Sequence, residues 1–502
     1  MFNFLLSEAA KLANAIVVGK DRITDEEFIV NEIKQFRASR KRKDMLDGEK
    51  YYIGKHDILN RRRTVIGEGG KLIEVENLPN NRIVDNQYKK MVDQKNNYLL
   101  GQPISIRCEN EAYSKELNQV FNKRFQRLMN AVGEDSLNCG IGWLFVHYNE
   151  HGEITFKKIK PYEIIPGWAD AEHTVLDYAI RLYEVVAYVG KEEKTVQKVE
   201  IYDDKGITYF ELDDDRLKPA EPFFQNYFTM ADEDGVETGY NWTRIPLIPW
   251  KYNREIPLIK NVKSLQDGLN TIESNFQNAM EEDTRNTILV LVNYDGQDLG
   301  EFRRNLAQYG AVKVKTVDGA GGDLRTLQIE VNSENYKAIL EVFKKAIIEN
   351  AMGYDAKDDR LAGNPNQMNI QSMYSDIDLD ANRMETEFQA SFEELLWFVN
   401  CHFANVGIGD FEGEEVEIIF NRDILISEGE VIDNVSKSAD LSLETRLAQH
   451  PWVDDVQAEL ERINKEKEEN MEQYGLAFNP AVGQGDDEGN VPPKDTNEDE
   501  DV

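Results

Sequence analysis

Three groups of residues have types and spacings that could do chemistry. Asp376, Asp378, Asp380 and Glu387 match positions 1, 3, 5 and 12 of a calcium loop. Oxygen ligands so spaced wrap a divalent cation, provided a glycine at position 6 makes the sharp turn. That position is Ala381, and an apolar period of three and four residues runs straight through. The segment is therefore expected to be helix, with Asp376 and Asp380 on a solvent face. GEGGK at 67–71 invites a phosphate-binding reading. The phosphate loop needs GxxxxGK followed by Ser or Thr. Here the upstream glycine is missing and Leu72 follows the lysine, so a turn is expected. Finally, Lys357 and Arg360 sit among Asp355, Asp358 and Asp359 in a polar stretch, 352–366, that connects two helical patterns. Connections this long are functional or disordered. A mixed-charge loop touches phosphates weakly without locking on.

The remaining reactive side chains form no constellation. His56, His147, His151, His173, His402 and His450 lack Cys or Glu partners at zinc spacing. No GxSxG is present, and Cys139 has no evident base. The basic run Arg37 to Lys43 reads as a solvated helix face, with nucleic acid or a partner protein as the other option. No enzymatic activity, metal or cofactor is expected.

The elements around these residues are mixed, so the fold class is α+β and rich in helix. Helical periodicity covers 25–46 (Phe28, Ile29, Ile33, Phe36), 84–100 (Val84, Tyr88, Met91, Val92, Leu99) and 112–131. Between 141 and 215 strand signals dominate, with WLFVHY/ITFKKI and KVEIYD/ITYFEL reading as hairpins. Then Val262, Leu265, Leu269, Ile272, Phe276 and Ala279 mark a helix over 262–283 with a narrow, coiled-coil-like seam. A small α/β module follows at 287–331, and a second amphipathic helix, 334–351, returns with Tyr336, Ile339, Leu340, Phe343 and Ile347. The module is too small to be secure alone. Two helices sent out to carry it make sense where neighbouring copies bury their seams. A long helix at 367–406, a strand at 416–421, helices at 428–441 and 453–474, and an acidic Gly- and Pro-rich tail that is expected to be disordered complete the chain.

Composition narrows the partners. The chain has 502 residues, enough for three or four structural units, and a net charge of −35. Gripping DNA by phosphate neutralisation needs a basic surface. An acidic wall instead lets a duplex slide. Three scattered cysteines exclude a disulfide framework, and no apolar run of membrane-spanning length occurs.

Several blocks, taken in order, resemble the portal proteins of tailed bacteriophages, in particular the siphophage type from Gram-positive hosts. They are NLPNNRIVDNQYKKMVDQKNNYLLGQPI (77–104), IKPYEIIPGW (159–168), the stretch from IPLIPWKYN to NAMEE (245–282) and LSLETRLAQHPWVDDVQAELERI (441–463). The resemblance implies a wing (1–250 and 367–427), stem helices (251–286 and 332–351), a clip (287–331), a tunnel loop (352–366) and a crown (428–475), with the tail at 476–502. It implies a ring, typically of twelve subunits, at one capsid vertex. The subunits would be made in the host cytoplasm and end in the virion, with no membrane involved. Twelve helices about 10 Å apart make a circle roughly 38 Å across. Less one helix diameter, that leaves a bore of roughly 28 Å, which admits a DNA duplex.

Implied partners are further copies of the chain, double-stranded DNA, the large terminase, head-completion or adaptor proteins, and the scaffolding and major capsid proteins. Implied sites are a DNA-facing loop (Asp355, Lys357, Asp358, Arg360, Asn364, Asn366) and a stem seam between copies (Val262, Leu265, Leu269, Ile272, Phe276, Ile339, Phe343, Ile347). A clip surface for terminase or adaptor would use Glu301, Arg303, Arg304, Lys313 and Lys315. The rival readings are an acidic scaffold or adaptor and a metal-dependent hydrolase built on Asp376, Asp378 and Asp380.

Overall fold

The structure is a computed structural model. It describes residues 26–66, 70–76, 78–189, 191–231, 236–283, 288–292, 323–327, 333–357, 367–422, 428–438, 440–450, 452–453, 456 and 459–467. The chain divides into two units, one of residues 1–359 with 371–424 and one of 360–370 with 425–502.

Caps break two of the expected helices. Helix α1 (Glu26–Ala38) stops at Ser39, whose Oγ accepts the N–H of Arg42 at 3.1 Å and so starts α2 (Arg40–Tyr52). Such a cap satisfies an N–H that has no partner inside the helix. Strands β1 (Thr64–Ile66) and β2 (Leu72–Glu74) pair antiparallel and flank the GEGGK stretch, of which 67–69 lie outside the described residues. Helix α3 (Gln87–Leu100) precedes β3 (Ser105–Cys108). The helix expected over 112–131 is two, α4 (Glu111–Val120) and α5 (Lys123–Cys139). Asn122 Oδ1 caps the second by accepting the N–H groups of Arg124 and Phe125.

Both expected hairpins form. β4 (Ile141–Tyr148) pairs with β5 (Ile154–Ile159). Next, β6 (Ile164–Trp168), β7 (Leu176–Val189), β8 (Glu192–Asp203), β9 (Gly206–Asp213) and β10 (Arg216–Gln225) make an antiparallel meander. One face of it, including Ile165, Ile180, Val199 and Phe210, closes over Ile29 and Ile33 of α1. A small hairpin of β11 (Phe228–Ala231) and β12 (Glu237–Tyr240) leads to β13 (Leu247–Lys251), which pairs with β4.

Helix α6 (Ile259–Asp283) and strand β14 (Ile288–Val292) follow. β14 pairs antiparallel with β15 (Asp323–Leu327), after which α7 (Ser333–Asn350) returns. The short helix and the AVKVKT strand expected between β14 and β15 lie outside the described residues. Helix α8 (Gln367–Asn405) matches the predicted apolar face, since Met373, Ile377, Met384, Phe388, Phe392, Leu395, Val399 and Phe403 are all buried. Trp250 of β13 meets Phe388 and Phe392 edge-on, with ring centroids 5.0 and 5.1 Å apart. Each such side chain contributes about 1.5–3 kcal/mol by leaving water. β16 (Val416–Ile419) then pairs with β3. In the second unit, α9 (Glu428–Lys437) and α10 (Leu443–Ala448) are short helices. Among the described residues no helix is long and apolar enough to cross a membrane.

Candidate functional site

Helices α6 and α7 pack against each other within one chain. Gly268 makes the close approach possible, because a Cβ there would come 2.5 Å from the ring of Phe343. The rings of Phe276 and Tyr336 meet at a tilt of 45° toward the far end, 4.7 Å between centroids. This changes the expected seam. Val262, Leu269 and Ile347 are fully buried inside a single chain, and Leu265, Ile272, Phe276 and Phe343 are half-buried. The two seams face each other first, because an antiparallel partner on the same chain needs no second molecule. On α7 the flank beside this seam stays uncovered, where Ile339 is 44% and Val342 65% exposed.

A third strand of chain joins the pair. Residues 81–86, which include the start of the helix expected over 84–100, are extended and run along α6. Asn278 Oδ1 accepts the N–H of Asn81 (2.7 Å), Ser274 Oγ that of Ile83 (3.0 Å), Asn270 Oδ1 that of Asp85 (3.1 Å) and Gln266 Oε1 that of Tyr88 (2.9 Å). All four side chains are buried. The match is metric: two extended residues advance about 6.6 Å, and four helical residues about 6 Å. A row of polar side chains at every fourth position therefore satisfies every second N–H from 81 to 85, and its last member, Gln266, takes the Tyr88 N–H in the first turn of α3. Lys344 of α7 adds ion pairs to Asp85 (2.7 Å) and, more weakly, to Glu273 (3.8 Å). Glu273 is pushed up to about 7, first by burial and then by the charge of Asp85, so the nearer carboxylate keeps the ion pair.

The first residues of the polar loop, where α7 ends, are clamped. Gln94 of α3 donates from Nε2 to the Tyr354 carbonyl (2.9 Å) and accepts the Tyr354 N–H at Oε1 (3.0 Å). Lys95 donates to the Met352 carbonyl (3.1 Å) and pairs with Asp380 of α8 at 2.6 Å. Asp355 is half-buried and accepts the N–H of Lys357, which is exposed. Asp358, Arg360, Asn364 and Asn366 of the expected DNA-facing loop lie outside the described residues, as do Glu301, Arg303, Arg304, Lys313 and Lys315 of the expected clip surface.

The candidate metal carboxylates are otherwise engaged. Asp376 is exposed, but Asp380 is buried rather than solvent-facing, because Lys95 and the Tyr252 hydroxyl (3.1 Å) reach it from the core. Asp378 accepts from the Tyr98 hydroxyl and pairs with Arg422 at 3.0 Å. Among the described residues no three His, Cys, Asp or Glu side chains form a group that could hold a metal ion. The basic run is drawn into the fold as well, with Lys41 on Glu255, Arg40 on Asp44 and Arg42 on the Tyr162 carbonyl.

Sequence comparison bears on what this arrangement serves. The family model described as "Phage portal protein, SPP1 Gp6-like" matches residues 32–473. The portal protein of Bacillus phage SPP1 is 27% identical over 447 residues, covering 88% of this chain and 87% of that protein. The portal protein of Clostridium phage phiCD119 is 28% identical over 457 residues, covering 87% of this chain and 96% of that protein. Among solved structures, a chain from the neck of an empty gene transfer agent particle aligns with a TM-score of 0.37 at 12% identity, over 73% of this chain and 90% of that one. One from the virion of a native gene transfer agent gives 0.38 at 13%, over 72% and 88%.

Proposed function

This chain belongs to the SPP1 Gp6-like family of phage portal proteins, and on that premise we propose how its parts share the work of a head–tail connector. Helices α6 and α7 act as the stem, lining a channel at one capsid vertex. The strands β14 and β15 are the root of the clip, the surface on which the packaging ATPase (the large terminase) and later the head-completion proteins dock. The polar stretch beyond Tyr354 faces DNA in the tunnel. The helices after 428 form the crown. Scaffolding and major capsid proteins meet the outer body as the head is built.

The observation that carries this reading is the uncovered flank of α7. Ile339 and Val342 lie one turn apart, exposed in the single chain, beside a seam that α6 has already filled. A second copy of the chain is the occupant we assign to it. Repeated around a circle of twelve, such contacts leave a bore of roughly 28 Å. With a net charge of −35, the subunits give passing phosphates little to hold, and energy for movement comes from the ATPase rather than from this chain.

The test separates the two kinds of seam. Val342→Asp removes an exposed contact, so the chain keeps its fold while rings are lost. Leu269→Asp puts a charge into a site fully buried within one chain, so the chain itself loses stability. Val342→Asp rings as abundant as wild type, measured by sedimentation, would refute the assignment of that face.

A further inference from the structure

Both ends of the helix pair are mounted on backbone that L-amino acids rarely adopt. Just before α6, Asn253, Arg254 and Glu255 have φ of 44°, 56° and 63°, three consecutive non-glycine residues in the left-handed region. Just after α7, Met352 has φ of 51°. Such conformations persist only where the surroundings over-determine them, and they gather where geometry matters to function.

The surroundings do so here. Glu255 is almost wholly buried and its carboxylate is gripped from two directions, by Lys41 of α2 and by His173 Nδ1 at 2.7 Å. His173 is itself left-handed, at φ 60°, and its carbonyl accepts from Lys251 at 2.7 Å. On either side of the turn, the Tyr252 N–H donates to the Gly140 carbonyl (2.9 Å) and the Leu258 N–H to the Leu137 carbonyl (3.0 Å). Gly140 must be glycine, since a Cβ would come 2.5 Å from the backbone of Glu255. At the other mount, the buried ammonium of Lys95 holds the Met352 carbonyl while paired to Asp380.

We propose that Glu255 and Lys95 are positioning residues that fix the aim of the α6–α7 pair, so that the stem keeps one tilt in the ring. This rests on the portal reading above and deepens it. Small errors at the mount matter because the helix is a lever. Thr271 lies twelve residues beyond Ile259, about 18 Å along the axis, so a tilt of about 10° moves it about 3 Å.

The experiment measures spin-label distances in assembled rings, with labelled chain diluted in unlabelled chain. One label is at Thr271→Cys on α6 and the other at Lys115→Cys on α4. The half-buried Cys108 and Cys401 are replaced by serine, and the buried Cys139 is left in place. The wild-type distribution is expected to be single and narrow. Glu255→Ala should widen it about twofold, while the distance between Thr271→Cys and Lys345→Cys, within the helix pair, stays unchanged. Reintroducing only the hydrogen-bonding shape with Glu255→Gln should recover part of the narrowing. Where Glu255→Ala gives no rings, Lys41→Met, which leaves His173 in place, carries the same test. An unchanged width in these variants, or equal widening within the helix pair, overturns the proposal. Absence of rings in the wild type would instead overturn the portal reading, so the two failures are distinguishable.

Discussion

Replacing Asn270 with leucine removes the centre of the polar row on α6. The side chain accepts the Asp85 N–H at 3.1 Å, accepts from Gln266 Nε2 at 3.0 Å, and faces His56 Nδ1 at 2.7 Å through its own Nδ2. Asn270, Gln266 and His56 are all essentially inaccessible to water. The Asp85 N–H and His56 Nδ1 therefore lose a partner, while Gln266 Nε2 keeps the Asp85 carbonyl at 2.6 Å. Each stranded group costs about 1–3 kcal/mol. Leucine returns a few tenths of a kcal/mol in helix propensity, and local relaxation recovers more. The expected loss is about 2–4 kcal/mol. Ser274→Ala strands one backbone N–H, that of Ile83, and should cost about 1–2 kcal/mol. Thr271→Ala, exposed on the same helix, should stay within about 0.5 kcal/mol of wild type. The assay is urea unfolding at one fixed protein concentration, with hydrogen exchange read at 81–88, where Asn270→Leu should speed exchange at least about tenfold. An Asn270→Leu midpoint equal to that of Thr271→Ala would refute the idea that this row fastens the extended segment to the helix.

Other outcomes follow from named contacts. Lys95→Met leaves Asp380 buried with only the Tyr252 hydroxyl, and should cost about 3–5 kcal/mol, whereas adding Asp380→Leu should restore most of it, as read by thermal unfolding. Equal losses in the single and double variants would show that the pair matters only as bulk. Burial alone would raise the Glu255 carboxyl, but the hydrogen bond from His173 and the charge of Lys41 hold it down at about 2. A lowered folded-state value stabilises the fold above the ordinary glutamate range and fades as pH falls toward 2. Glu255→Gln should therefore destabilise by about 1–3 kcal/mol at pH 7 and by little near pH 2–3; a penalty independent of pH would contradict this. Replacing Lys357 and Arg360 together with alanine should leave rings intact while lowering DNA packaging or retention in particles. Normal packaging would remove the loop's role.

Much of the fold is written in local periodicity, and those parts are legible. α6, α7 and α8 each show apolar residues at steps of three and four, and the hairpins β4–β5 and β8–β9 alternate around short polar turns. The helix breaks at Ser39 and Asn122 were legible too, since both residues are strong N-caps, but a continuous apolar face hid them. Other features depend on distant partners. Val84 fits a helical face, yet the chain at 81–86 is extended because N–H groups there bond to side chains about 190 residues later. The signal was present on the other element: Gln266, Asn270, Ser274 and Asn278 form an unbroken row at every fourth position of α6. Beside an apolar seam such a row looks like a solvated face. Only the extended segment lying on it makes it a buried one. The same holds for Asp380, whose burial depends on Lys95 and Tyr252 arriving from two other elements. The seam residues were legible as a set but not their partner, because an apolar stripe does not say whether its cover is the same chain or another.

The central claim is that many copies stand side by side through the stem helices. Mass and shape of the purified chain in solution test it most directly. Twelve copies of a 57.8-kDa chain come to about 690 kDa, and negative-stain images should show annuli with a central hole. A folded chain that stays at the mass of one copy at high concentration, with no annular particles in any buffer, would contradict the account.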